Sequence, residues 1–108
     1  MLSLLLGSRI AEQILLYLAS YGEGYARGIA RNFKLSLGQV QRQLDRLERS
    51  GLLASRQLGR TRLFAWNPRF PLQKEFRTIA EKALSYLPDQ EREEFYTGRT
   101  RPRRSGKP

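Results

Sequence analysis

Neither cysteine nor histidine occurs in the chain. Disulfides and zinc–thiolate sites are thereby excluded, as is any mechanism that needs a cysteine or histidine as nucleophile or base. Lysine is scarce: Lys34, Lys74, Lys82 and Lys107 are the only lysines among 20 cationic residues. Long apolar runs are missing too. The stretch Met1–Leu6, apolar apart from Ser3, is too short to span a membrane or act as a signal peptide, and it lacks a basic region. Nothing there directs the chain elsewhere, so a cytoplasmic location without membrane attachment is expected. The acids are scattered, no metal-ligand spacing is present, and no glycine-rich phosphate loop follows a strand. No enzymatic activity, metal or cofactor is therefore expected.

What the chain has in excess is arginine. Twenty basic against 10 acidic side chains give a net charge of +10 over 108 residues. Residues 27–62 hold nine cations against only Asp45 and Glu48. Residues 88–98 are acidic, and residues 99–108 hold five cations and no acid. A basic excess attracts polyanions, and a guanidinium forks onto phosphate or guanine better than an ammonium does. Solubility, or arginine-rich codon usage, gives the same composition, so the charge has to be weighed with the fold.

Hydrophobic spacing predicts a run of helices. The first covers Ser8–Ser20, with Ser8 as N-cap and Ile10, Ile14, Leu15 and Leu18 on one side. Gly22-Glu23-Gly24 breaks it, and a short helix follows over Tyr25–Phe33. After Lys34-Leu35, Ser36 and Gln39 make a capping-box pattern. Val40, Leu44 and Leu47 then form one buried stripe, and Gly51 ends the helix. Gln41, Arg42, Asp45, Arg46 and Arg49 lie roughly opposite that stripe. Leu52–Leu58 and Leu63–Trp66 read as strands around a hairpin tip, Gly59-Arg60-Thr61-Arg62. Pro71 opens a further helix over Leu72–Leu87, and Asp89–Tyr96 adds a short one. The order predicts a mainly α domain with a small β-hairpin wing: a winged helix-turn-helix plus a C-terminal helix. Residues 1–87 are expected to bind DNA and dimerise, and residues 88–108 to form a short helix and a basic tail, disordered when free.

Residues 35–53, LSLGQVQRQLDRLERSGLL, resemble the recognition-helix segment of the ArsR-like winged-helix repressors. Gly59-Arg60, the aromatic Phe64 and then Asn67-Pro68 resemble their wing and its exit. The resemblance covers residues 8–87 and is nearer the metal-independent branch. It implies a homodimeric transcriptional regulator whose third helix enters the major groove. The metal sensors of that family use cysteines near the recognition helix, or carboxylates and histidines on the last helix. Cysteine and histidine are both absent here, so metal sensing does not carry over.

Recognition helices expose their N-terminal residues to base edges. Gln39, Gln41, Arg42 and Arg46 are thus the candidate base-contacting residues, since Gln pairs with adenine and Arg with guanine. A solvated helix face would suit the same side chains. Ser36 offers a hydroxyl to phosphate besides capping the helix. Arg60, Thr61 and Arg62 of the wing are candidates for a flanking groove or phosphates, and Arg27, Arg31 and Lys34 for backbone contact. Arg99, Arg101, Arg103, Arg104 and Lys107 of the tail either follow phosphates or only solubilise the chain. Trp66, Phe64 and Tyr17 fall on core-type positions. Phe95 and Tyr96 are expected to pin the short tail helix.

The leading function is sequence-specific binding of double-stranded DNA by a homodimeric transcriptional regulator, with the effector undetermined. The alternatives are a winged helix used as a protein-interaction module, and RNA binding. The apolar Leu2, Leu4, Leu5 and Leu6, with part of the Leu72–Leu87 helix, mark the expected dimer surface, unless they fold back over the monomer's own core.

Overall fold

A computed structural model describes residues 2–97 of the chain. The five tail cations lie outside the described residues. The elements run α1 (Ser3–Leu6), α2 (Arg9–Tyr21), β1 (Glu23–Gly24), α3 (Ala26–Phe33), α4 (Leu37–Arg49), β2 (Leu53–Leu58), β3 (Thr61–Trp66), α5 (Gln73–Ser85) and α6 (Asp89–Phe95). The expected order of helices around a hairpin is present. Two short elements are not apparent from the sequence: α1, a single turn, and β1, two residues inside the stretch that reads as a break.

α2 begins where its cap dictates: the Ser8 hydroxyl accepts from the Ala11 amide at 3.1 Å. It is the central helix, contacting α1, α4, α5 and β1, and it buries Ile14, Leu15 and Leu18 almost completely. α4 lays the stripe Val40, Leu44 and Leu47 into the same core. Burial of each such side chain contributes roughly 1.5–3 kcal/mol. α3 adds Ile29, Ala30 and Phe33. Phe64 and Trp66 close the sheet side of the core, and Tyr17 is partly buried and packs against it, as the sequence implied.

The sheet is antiparallel in the order β1-β3-β2, with Glu23 opposite Ala65 and Leu53 opposite Trp66. β2 and β3 pair out to Leu58 opposite Thr61. The connection is therefore the two residues Gly59-Arg60, shorter than the four-residue tip expected, and Thr61 and Arg62 belong to β3. Gly59 has φ 63° while Arg60 has no positive φ. Glycine first and an ordinary residue second is the pattern of a II′ hairpin turn, whose twist matches the strands it joins.

α5 is a turn shorter than expected and buries only Ala80 and Ala83; Leu72 and Ile79 stay exposed. α6 is docked by its end. Phe95 and Tyr96 pack on Phe33, with centroid separations of 5.4 and 5.5 Å, and Asn32 Nδ2 donates to the Phe95 carbonyl at 3.2 Å. The N-terminal segment is divided between core and solvent. Leu2 is buried, and its amide donates to Glu12 Oε2 at 2.8 Å. Leu6 packs partly on the core, whereas Leu4 and Leu5 are 92% and 77% exposed. The fold-back alternative thus holds for two of the four leucines.

Candidate nucleic-acid interface

An open groove of about 660 Å³ lies between the start of α3, the wing-facing flank of α4 and the hairpin. Its position follows from the elements around it. The α3–α4 connection is tight because Lys34 takes a left-handed conformation, φ 59°, and its amide closes onto the carbonyls of α3. Ser36 then starts α4: its hydroxyl accepts from the Gln39 amide at 3.3 Å and donates to Gln39 Oε1 at 3.0 Å. Gln39 thus returns to the cap's hydroxyl; the reciprocal bond of a full capping box would go to the Ser36 amide.

Six of the expected contact residues come together around this groove: Arg27 and Arg31 from α3, Gln41 from α4, and Arg60, Thr61 and Arg62 from the hairpin. Four guanidiniums in one concavity concentrate positive potential where a polyanion would enter. Arg42 lies on the outer ridge of α4, exposed, with Nη1 passing 3.7 Å from where a Gly38 Cβ would stand. The missing side chain at Gly38 leaves the first turn of α4 open beneath it. Ser36 and Gln39 lie at the same helix end, and Lys34 is exposed at the α3 C-cap.

Arg46 is placed differently. Its Nε donates to Gln43 Oε1 at 3.0 Å and its Nη2 to the Leu6 carbonyl at 2.9 Å. It braces α4 against the N-terminal segment on the flank away from the wing, so the structure does not bring it into the groove. Arg62 is in the groove but engaged: Nε donates to Ser55 Oγ at 2.9 Å, and Nη2 lies 3.7 Å from Glu48 Oε2. The Ser55 hydroxyl donates to the same Glu48 oxygen at 2.5 Å. This network ties both hairpin strands to α4 and leaves Arg60 as the unencumbered cation at the tip. A second brace, Arg56 to Glu23 at 2.9 Å, joins β2 to β1. Both of its side chains are largely exposed, so it adds little stability.

Sequence reasoning missed three participants. Tyr25 lines the groove from the α3 N-cap, Asp45 from α4, and Glu48 anchors the wing. Glu48 with Arg62 had a signal, an acid and a cation of opposite sign bracketing the hairpin, but only the strand register shows that they meet. Among the described residues no group of three or more His, Cys, Asp or Glu side chains is placed to hold a metal. No helix among them is long and apolar enough to cross a membrane.

No protein-family model and no curated protein matches the chain. Solved structures do. A MarR-family transcriptional regulator from Rhodococcus sp. RHA1 superposes with a TM-score of 0.58 at 22% identity, over 82% of this chain and 69% of its own. A single-residue mutant of ZitR from Lactococcus lactis gives 0.56 at 27% identity, over 80% and 66%. The YusO protein from Bacillus subtilis gives 0.56 at 22%, over 78% of this chain, which spans 65% of the length of that one. The chain has the winged helix-turn-helix fold. In this winged helix α3 and α4 are the helix pair and β2–β3 the wing. The similarity bears out the expected winged-helix fold. It gives no support to the ArsR-like branch, since the family named among these matches is MarR.

Proposed function

We propose that this winged helix is a transcriptional regulator that binds double-stranded DNA, with α4 in the major groove and the hairpin on the flanking groove or backbone. The observation that carries this reading is the convergence of Arg27, Arg31, Gln41, Arg60 and Arg62 on one open groove beside an exposed recognition-helix N-terminus. Gln41 and Arg42 read base edges, Gln39 and Ser36 stand at the helix start, and Arg60, Arg27 and Arg31 hold phosphates. Thr61 lies at the groove edge, Arg62 fixes the wing, and Lys34 adds charge near the helix turn. The use of the fold as a protein-interaction module needs no such charge.

The reading includes a homodimer. Leu4, Leu5, Leu72 and Ile79 are 92%, 77%, 52% and 42% exposed. Leu5 and Ile79 border the same small apolar depression together with Phe76. A contiguous exposed apolar patch on a small domain marks an interface. Two-fold pairing there presents two α4 helices to successive major-groove faces, which predicts an inverted-repeat site with half-sites about 34 Å apart.

Selection of bound fragments from randomised duplex DNA tests the reading. An enriched inverted repeat is expected; recovery of no sequence above the unselected pool would overturn sequence-specific binding.

A further inference from the structure

The groove that carries four guanidiniums also holds one carboxylate. Asp45 stands one helical turn beyond Gln41 on the same flank of α4 and is exposed. No hydrogen bond or ion pair among the described residues engages it. The neighbouring acids are spoken for: Glu48 is held by Ser55 and Arg62, and Glu23 by Arg56. A free carboxylate in a phosphate-facing groove weakens binding to every duplex alike unless it meets a donor. In the major groove the donors are the exocyclic amino groups of cytosine and adenine, while guanine and thymine present acceptors. Adenine sets its N7 acceptor beside the amino group, where it repels a carboxylate; cytosine does not.

We propose that Asp45 is a specificity-determining residue that accepts a hydrogen bond from the amino group of a cytosine in the major groove. The inference rests on the DNA-binding reading above. The arginines around it offset its repulsion of phosphate, so the acid costs little on a matched site and discriminates against guanine and thymine on a mismatched one. Four residues of helix advance about 6 Å, and base steps advance about 3.4 Å. The cytosine therefore lies within about two base pairs of the base that Gln41 contacts.

The test is selection from randomised duplex DNA with the full chain and its Asp45→Ala, Asp45→Asn and Gln41→Ala variants, with thermal melting as a folding control. The wild type is expected to show a cytosine preference within about two positions of the one that Gln41→Ala abolishes. Asp45→Ala should reduce that cytosine preference about tenfold or more, leave the other positions intact, and bind random duplex more tightly. Asp45→Asn, nearly isosteric and safe for folding, should move the preference towards adenine, whose N6 and N7 match an amide. An unchanged Asp45→Ala profile, or tighter random binding with no position altered, overturns the inference and leaves the DNA-binding reading standing. A wild type that selects no sequence overturns both.

Discussion

Gln41 and Arg60 face the same groove, and the proposed DNA-binding function assigns them different work. A glutamine above a base edge discriminates between sequences, whereas a cation at a wing tip meets phosphates, which carry no sequence. Gln41→Ala should therefore cost about 1–3 kcal/mol on the preferred site and relax specificity. Arg60→Ala should weaken all duplexes evenly and make the salt dependence shallower by about 0.9 in slope. Competition titrations on specific and random duplex separate the two, and equal losses for both variants would contradict the division. Arg46, tied to Gln43 and the Leu6 carbonyl, should affect sequence preference little when replaced. A different residue reports on the fold. Burial pushes the Tyr96 phenol above its ordinary value of 10.0, helped by the carboxylates of Glu91 and Glu12 and opposed by Arg9. The raised folded-state value means that the stabilisation is complete below pH 10 and is lost as pH climbs past it. Thermal melting of the wild type should thus fall more steeply above pH 10 than that of Tyr96→Phe; parallel curves would show that the phenol titrates freely. At this scale the groove arginines are legible from charge taken together with their places on the second helix and the wing, but the partners of Arg46 and Arg62 are not. A helical wheel gives the direction of a side chain, and neither the Leu6 carbonyl nor Glu48 is near those residues in sequence.

At the scale of elements, α4 is legible almost to the residue because three independent signals agree on it: the Ser36 cap, the stripe Val40–Leu44–Leu47 and the stop at Gly51. Each carries energy. Ser36→Ala removes a cap that serves the Gln39 amide and should destabilise the domain by about 1 kcal/mol. Leu44→Ala empties a fully buried site and should cost about 2–5 kcal/mol. Gly51 has φ 95°, and a Cβ there would meet Phe70 Cδ1 at 3.3 Å. Denaturant titration that ranks Ser36→Ala as more damaging than Leu44→Ala would contradict this account of α4. The hairpin is legible as a hairpin but not in its register, because Thr61 and Arg62 suit a turn as well as a strand. Pairing of Leu58 with Thr61 shortens the loop to two residues and places Arg62 where Ser55 and Glu48 can hold it. β1 carries no readable pattern, since two residues beside glycines become a strand only through their partners Phe64 and Ala65. α5 departs from its helical stripe for a similar reason: apolar spacing marks a face, and whether that face meets the monomer's own core depends on the rest of the molecule.

The whole molecule combines a cationic face and an apolar one. Leu4, Leu5 and Ile79 should make self-association concentration-dependent in sedimentation. Replacing Leu5 and Ile79 together by glutamate should yield a folded monomer near 12.5 kDa that binds a full inverted repeat no better than a half-site. A wild type that stays monomeric at micromolar concentration and binds half-sites as tightly as full repeats would rule the dimer out. The basic face supplies the central claim, and its magnitude is set by residues 27–62, with nine cations and two acids. The most direct measurement is duplex affinity as a function of salt concentration. Neutralisation of roughly six phosphates predicts that log K falls against log salt with a slope of about −5. Binding that stays flat from low to moderate salt would contradict an interface built on these guanidiniums.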